Sequence, residues 1–275
     1  MQIKNTAKEY DVIIVGSGAG GGMATKILSE AGAIVASTPI EVAEMTDRVI
    51  CLVETTDQAD EVICGANGII HGARDGNIVI CMSTIDPLVA VRIGADLDKK
   101  NIKMLDAPVS GGEVGAINGV LSIMIGGPNN KIPFLKKIMS AYSKSIVHIG
   151  PSGHGQLTKM VNQLCIAGLI QALSEGISLG QSAGLNMNKV LEAISNGAAQ
   201  SWQMDNRFKT MIKKEFDFGF AVSLMIKDLK IALNEAQDKN LDLQISNIIL
   251  QNYKKLLELG DGTLDTSSLI KLIKT

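Results

Sequence analysis

The sequence predicts an α/β domain followed by an all-α domain, and two patterns carry that prediction. As far as about residue 153, short β-branched runs closed by glycine or proline turns alternate with helical stretches. This is the pattern of a parallel sheet with crossover helices. Beyond Gly155 the strand signals vanish and apolar residues recur at helical spacing. The domains read from this change are 1–153 and 154–275, and no internal repeat or low-complexity linker interrupts either.

The first element is the β-branched run Asp11–Val15, which suits a buried parallel strand. Gly16-Ser-Gly18-Ala-Gly-Gly21 follows as G-x-G-x-x-G, and Met23 to Ala31 continues as a helix. Strand, glycine turn and helix in this order form a dinucleotide fingerprint. Gly16 allows the tight turn, Gly18 lets a pyrophosphate approach the backbone, and Gly21 lets helix and strand pack closely. A Rossmann-like domain holding NAD or NADP is therefore expected. Ala33 to Ala36 is short and apolar and could serve as a neighbouring strand. Thr38-Pro39-Ile-Glu41 reads as a capping box opening a helix to about Thr46.

From Arg48 the alternation is regular. Strands are predicted at 49–53, 77–82, 102–105, 121–125 and 146–149, and helices at 57–64, 89–101 and 131–142. The turn Ser83-Thr84-Ile85-Asp86-Pro87 closes one of these strands, and Thr84 could cap the helix that follows. In the second domain, helices are predicted at about 156–183, 188–196, 202–213, 222–239, 244–258 and 266–273.

Composition excludes several function classes. The 275-residue chain is 46% hydrophobic and 20% charged, as a soluble globular enzyme is. A net charge of −2 and 3% aromatics give neither a basic surface nor stacking platforms for nucleic acid, and no attraction to an anionic membrane. Cys51, Cys64, Cys81 and Cys165 form no C-x-x-C pair and lie mostly in apolar runs, so they read as buried free thiols in a reducing cytosol. His71, His148 and His154 lack ligand spacing, so no dedicated metal site is expected. The start, MQIKNTAKEYD, is polar and unlike a signal peptide. The glycine-rich stretch after it is broken by Lys26 and Glu30, so no membrane span and a cytoplasmic location are expected.

Two stretches point to chemistry. Asp106-Ala-Pro-Val-Ser-Gly-Gly-Glu-Val-Gly-Ala116 packs a proline and three glycines into eleven residues and is expected to continue neither helix nor strand. The backbone N–H groups of Ser110, Gly111 and Gly112, with the Ser110 hydroxyl, can converge on a small anion there. In the long helix after Gly155, Lys159, Asn162 and Gln163 are spaced three and four apart and share one face. That polar face lies in an otherwise apolar helix, so it needs partners or a ligand.

DAPVSGGEVGA resembles the substrate-binding signature of the β-hydroxyacid dehydrogenases. Gly153-His-Gly-Gln-Leu-Thr-Lys159-Met-Val-Asn162-Gln163 resembles that family's catalytic motif, and Phe220 through Lys227-Asp228-Leu-Lys-Ile-Ala-Leu233 its downstream motif. The resemblance covers roughly Ala33 to the C-terminus. It implies an NAD(P)-dependent oxidoreductase that interconverts a short 3-hydroxyacid and its semialdehyde. Lys159 would be the general acid/base, and Asn162 and Gln163 would orient the substrate. Ser110, Gly111 and Gly112 would hold the substrate carboxylate. By the same resemblance Thr84 and Lys227 lie near the cofactor, Phe220 lines the pocket, Asp228 supports the site, and the chain forms a homo-oligomer.

The first thirty residues stand apart. YDVIIVGSGAGGGMA resembles the flavin-binding start of the glucose–methanol–choline oxidoreductases, and the dehydrogenases' second βα unit, with its ribose-reading residues, is missing after Ala31. The expected Rossmann-like domain is therefore shortened by one βα unit, and NAD cannot be told from NADP. Two other readings follow: a truncated or fused protein that binds small carboxylates with a defective cofactor site, or a flavin-dependent oxidase.

Overall fold

The computed structural model describes residues 13–15 and 36–273. The glycine fingerprint with Gly16, Gly18 and Gly21, the helix after it, and most of the Ala33–Ala36 run lie outside the described residues.

The chain divides into two compact units, one running to Lys159 apart from residues 112–114, the other comprising those three residues and the chain from Met160. The first is α/β. Its strands are β1 (Ile13–Val15), β2 (Arg48–Cys51), β3 (Ile78–Cys81), β4 (Lys103–Asp106), β5 (Val109–Ser110), β6 (Leu121–Gly126) and β7 (Ser143–Gly150). They form one sheet in the order β1-β2-β3-β4-β6-β5, with β7 also paired to β6. The β1 to β4 pairs are parallel, β4 and β5 run antiparallel to β6, and β7 is parallel to β6.

Alternation along β2 and β3 sends Val49, Cys51, Val79 and Cys81 into one apolar cluster and Ile50, Ile78 and Ile80 into another. Both faces are thus covered, as a parallel sheet requires. Each fully buried side chain such as Ile80 contributes about 1.5–3 kcal/mol relative to exposure.

Helices join these strands where the capping signals place them. Thr38 caps α1 (Pro39–Met45), accepting from the Glu41 N–H. Glu41 Oε2 accepts from Ser37 N–H at 2.7 Å, one residue before the cap, so only half of the expected capping box forms. α2 (Thr56–Cys64) carries the complete box: Thr55 accepts from Gln58 N–H, and the Gln58 side chain accepts from Thr55 N–H. The short α3 (Ile69–Gly72) follows. α4 (Pro87–Asp98) is capped by Asp86, not by Thr84, because Asp86 directly precedes Pro87 and its carboxylate reaches the Leu88 and Val89 amides. After β6 comes α6 (Ile132–Met139), since α5 (Gly112–Ile117) precedes it.

The glycine-rich stretch corrects one expectation, for it continues both a strand and a helix. Asp106 pairs with Gly126, and Val109 and Ser110 pair with Ile123 and Ser122. Pro108 is tolerated in this line because a proline lacks only the donor, and its carbonyl still accepts from Met124 N–H at 3.1 Å. α5 then begins at Gly112, within the stretch itself.

The second unit is helical: α7 (His154–Ser182), which opens in the first unit, then α8 (Met187–Ile194), α9 (Trp202–Lys213), α10 (Val222–Asp238) and α11 (Gln244–Glu258). Residues 266–272, expected as an α-helix, form a 3-10 helix capped by Asp265. Ala167 and Ile170 of α7, Met225 and Leu229 of α10, and Ile249, Tyr253 and Leu256 of α11 share one apolar core.

All four cysteines are free thiols. Cys51 and Cys81 are buried and face each other across the β2–β3 ladder, while Cys64 is half-buried. Burial, with Asp60 and Asp96 nearby, pushes the Cys64 thiol up to about 11. Cys165 departs from the expectation of burial: it lies on the open side of α7 and is exposed. Among the described residues no group of histidine, cysteine and carboxylate side chains could hold a metal, and no helix is long and apolar enough to cross a membrane.

Candidate active site

The carboxyl ends of β1 to β4 share one edge of the sheet, and the functional signals cluster there. At the end of β3, the Ser83 hydroxyl accepts from Val53 N–H at 2.7 Å, tying the turn to the residues after β2. Thr84 follows, half-buried. At the end of β4, Asp106 is almost completely buried, and burial raises its carboxyl above the ordinary carboxylate range. The backbone amides of Gly153, Gln156 and Gly155 pull the other way without cancelling that cost.

Those amides belong to the opening of α7. Asp106 Oδ1 accepts from Gly153 N–H at 2.8 Å and Oδ2 from Gln156 N–H at 3.0 Å. Helix and sheet meet closely: a Cβ on Gly155 would stand 2.5 Å from Met124 O and 2.6 Å from Asp106 O. The buried Gln156 side chain donates to Ser83 O at 2.8 Å and accepts from Ile85 N–H at 3.0 Å. Lys159 comes three residues later on α7, with only 6% of its surface exposed.

Ser110 ends β5, Gly111 makes the turn and Gly112 opens α5. Gly111 and Gly112 have φ of 132° and 63°, a conformation that favours glycine.

In the second unit, one polar chain joins two of the sequence blocks. Asn162 Nδ2 donates to Gln163 Oε1 at 2.7 Å, and Gln163 Nε2 donates to Asp228 Oδ2 at 2.7 Å. The Lys227 ammonium sits 3.1 Å from Asp228 Oδ1. Read from residues alone, Lys227 and Asp228 are most cheaply a surface pair. They are not one, since Asp228 is 1% and Gln163 2% exposed. A buried carboxylate needs partners on both oxygens; here Oδ2 accepts from the Gln163 amide, while Oδ1 has the Lys227 ammonium as an ion-pair partner and no hydrogen bond.

Phe220 is half-buried against the α7–α10–α11 core, and its N–H donates to Asp265 Oδ2 at 3.0 Å. Asp265, fully buried, also receives Arg207 Nε at 3.0 Å, and the Arg207 guanidinium lies 5.1 Å from the Trp202 ring centre and 5.0 Å from that of Phe218. This hub fixes the segment that leads into α10. Sequence reasoning passed over Asp106, Gln156 and Asp265. For the first two a signal was present: each lies inside a motif block, one at a strand end and the other a polar residue opening an apolar helix.

A family model described as the NAD binding domain of 6-phosphogluconate dehydrogenase matches residues 2–150. A second, described as the NAD-binding of NADP-dependent 3-hydroxyisobutyrate dehydrogenase, matches residues 153–273. The chain belongs to the β-hydroxyacid dehydrogenase family. Within it, an uncharacterized oxidoreductase of Shewanella frigidimarina is 45% identical over 91% of this chain and 86% of its own length. The 2-hydroxy-3-oxopropionate reductase of Escherichia coli is 33% identical over 92% of this chain and 87% of its own. Among solved structures, a 3-hydroxyisobutyrate dehydrogenase from Salmonella typhimurium has a TM-score of 0.81 at 28% identity, covering 95% of this chain and 99% of that one. The β-hydroxyacid dehydrogenase resemblance was expected to begin near Ala33. The family match begins at residue 2 and so takes in the glycine segment whose wording resembles a flavoprotein start.

Proposed function

We propose that this β-hydroxyacid dehydrogenase interconverts a short 3-hydroxyacid and its semialdehyde, of the 3-hydroxyisobutyrate or 2-hydroxy-3-oxopropionate type, with NAD or NADP. The observation that carries the reading is a buried lysine, Lys159, on the helix face that continues through the half-buried Asn162 into the buried Gln163–Asp228 pair, with the half-buried Lys227 beside it. A buried lysine beside a buried polar network is an arrangement that serves a ligand better than it serves stability.

The parallel strands β1 to β4 end at one edge, where open sheets of this kind bind dinucleotides, so these residues fit a nicotinamide cofactor. Gly16, Gly18 and Gly21 would hold its pyrophosphate, with Thr84 and Lys227 nearer the nicotinamide end. That group would supply or accept the hydride.

The remaining chemistry falls to the chain. Lys159 Nζ gives a proton to the carbonyl oxygen in the reducing direction and takes it from the hydroxyl in the oxidising direction. Ser110 and the amides of Gly111 and Gly112 hold the substrate carboxylate, which fixes the carbon presented to the cofactor. Asn162 and Gln163 orient the substrate, Phe220 lines the pocket, and Asp228 keeps Gln163 and Lys227 in place.

The same reading takes the enzyme to be a cytoplasmic homo-oligomer. Support for assembly comes from α7, where Val161, Cys165, Leu169 and Leu179 lie exposed along one side at helical spacing.

Two measurements test this reading. Fluorescence titration with NADH and with NADPH should show saturable micromolar binding of at least one, and will set the preference. Lys159→Ala should lower kcat about 100- to 10,000-fold while leaving cofactor affinity within about threefold. Turnover near the wild-type rate would remove Lys159 from the mechanism.

A further inference from the structure

The first amides of a helix have no partner inside it, and a side chain adjacent in sequence usually supplies one. At the start of α7 the acceptor is Asp106, from the end of β4, 47 and 50 residues away from the amides it holds. A local cap moves with its helix. A cap carried by the central sheet fixes where the helix begins and how it is turned about its axis.

Gln156 extends the frame. Its amide nitrogen donates to Ser83 O and its amide oxygen accepts from Ile85 N–H, so one fully buried side chain closes both flanks of Thr84. Through the Ser83 hydroxyl and Val53 N–H the frame reaches the end of β2. The ends of β2, β3 and β4 are thereby joined to the first turn of α7, and Lys159 stands about one turn beyond Gln156. None of these contacts is a surface pairing that a solvated loop could replace. Asp106, Ser83 and Gln156 are all buried.

We propose that Asp106 and Gln156 are positioning residues: they set Lys159 against the Ser83–Ile85 turn without touching the reacting atoms. The proposal rests on Lys159 as the acid/base. A buried carboxylate is a costly cap for a helix whose first turn could take a neutral one. Its presence is explained by what a cap on the sheet does for the lysine's place. A displacement of about 1 Å in such a group is enough to cost about 100-fold in rate.

The test uses Asp106→Asn and Gln156→Glu, each alone and in the Lys159→Ala background. Asparagine keeps the size but turns an amino group toward a backbone N–H. Glutamate keeps the acceptor for Ile85 and sets an oxygen against Ser83 O. Two readouts are taken: kcat with 3-hydroxyisobutyrate or 2-hydroxy-3-oxopropionate, and competitive acetylation of Lys159 by acetic anhydride across pH, followed by peptide mass spectrometry. The second needs neither substrate nor cofactor.

Positioning predicts a fall in kcat of about 10- to 100-fold in the wild-type background and under about twofold in the Lys159→Ala background, because the positioned group is then absent. It also predicts a changed acetylation profile at Lys159 while the other lysines stay as they were. Equal losses in both backgrounds, or an unaltered Lys159 profile, would mean that Asp106 and Gln156 serve stability alone and would overturn the proposal. Should Asp106→Asn not fold, Gln156→Glu, which leaves the helix cap intact, carries the same comparison. An inactive Lys159→Ala beside a fully active Asp106→Asn sinks only the positioning. A fully active Lys159→Ala sinks the acid/base reading itself.

Discussion

Asp106 is the residue whose burial is most informative. Its carboxyl is held above the ordinary range chiefly because burial disfavours the charged form. The folded state therefore keeps the proton to higher pH than the unfolded chain does. The stability this contributes is full below about pH 3.9, the unfolded value, and is lost as pH rises through the raised folded value. Comparing melting temperatures of wild type and Asp106→Asn across pH 3.5 to 7 should then show the wild type's relative position falling as pH rises, then levelling. A relative position that climbs with pH would mean that the Gly153 and Gln156 amides outweigh burial. Substitution of neighbouring Gly155 has a different origin, since any Cβ there would run into the backbone of Met124 and Asp106.

Among the elements, α2 offers a clean test of local coding. Thr55 accepts from Gln58 N–H at 3.2 Å, and Gln58 Oε1 accepts from both Glu54 and Thr55 N–H groups at 3.0 and 3.2 Å. Thr55→Ala should cost about 1 kcal/mol in urea unfolding, with an unchanged m value. Local signals of this kind made much of the fold legible. Pro39 at a helix start, the β-branched runs at 49–51 and 78–81, and the helical spacing of 202–213 all state their own structure. What was illegible was set by distant partners. Nothing near Pro108 announces that its carbonyl will meet Met124. The candidate site divides in the same way. Lys159, Asn162 and Gln163 could be grouped because they share one helix, and Ser110 with its glycines because they are consecutive. The burial of Asp228 and the reach of Gln156 to Ser83, 73 residues away, depend on the packing of elements that no local pattern joins.

For the whole molecule, assembly is the property most open to measurement. Leu179 is 73% exposed on the open side of α7 and Val161 61%. Exposed apolar residues along one side of a helix are the kind of surface that a protein contact would cover, which supports the proposed assembly. Sedimentation velocity should find the wild type larger than a monomer, and Leu179→Asp should shift it toward the monomer by at least about tenfold in dissociation constant, since burying an unpaired carboxylate in an apolar contact costs more than 1.4 kcal/mol. A monomeric wild type would end the oligomer proposal. The cap that β4 lends to α7 also bears on how the chain acquires its activity. Helix α7 can wind early, because its bonds are local, but the contacts that seat its first turn span 47 to 73 residues. Contacts of that separation form late, after loop closure has been achieved. In a refolding experiment, helical signal should return before turnover does; on the proposal that Lys159 is the acid/base, the interval between them is the time the sheet takes to put that lysine in place.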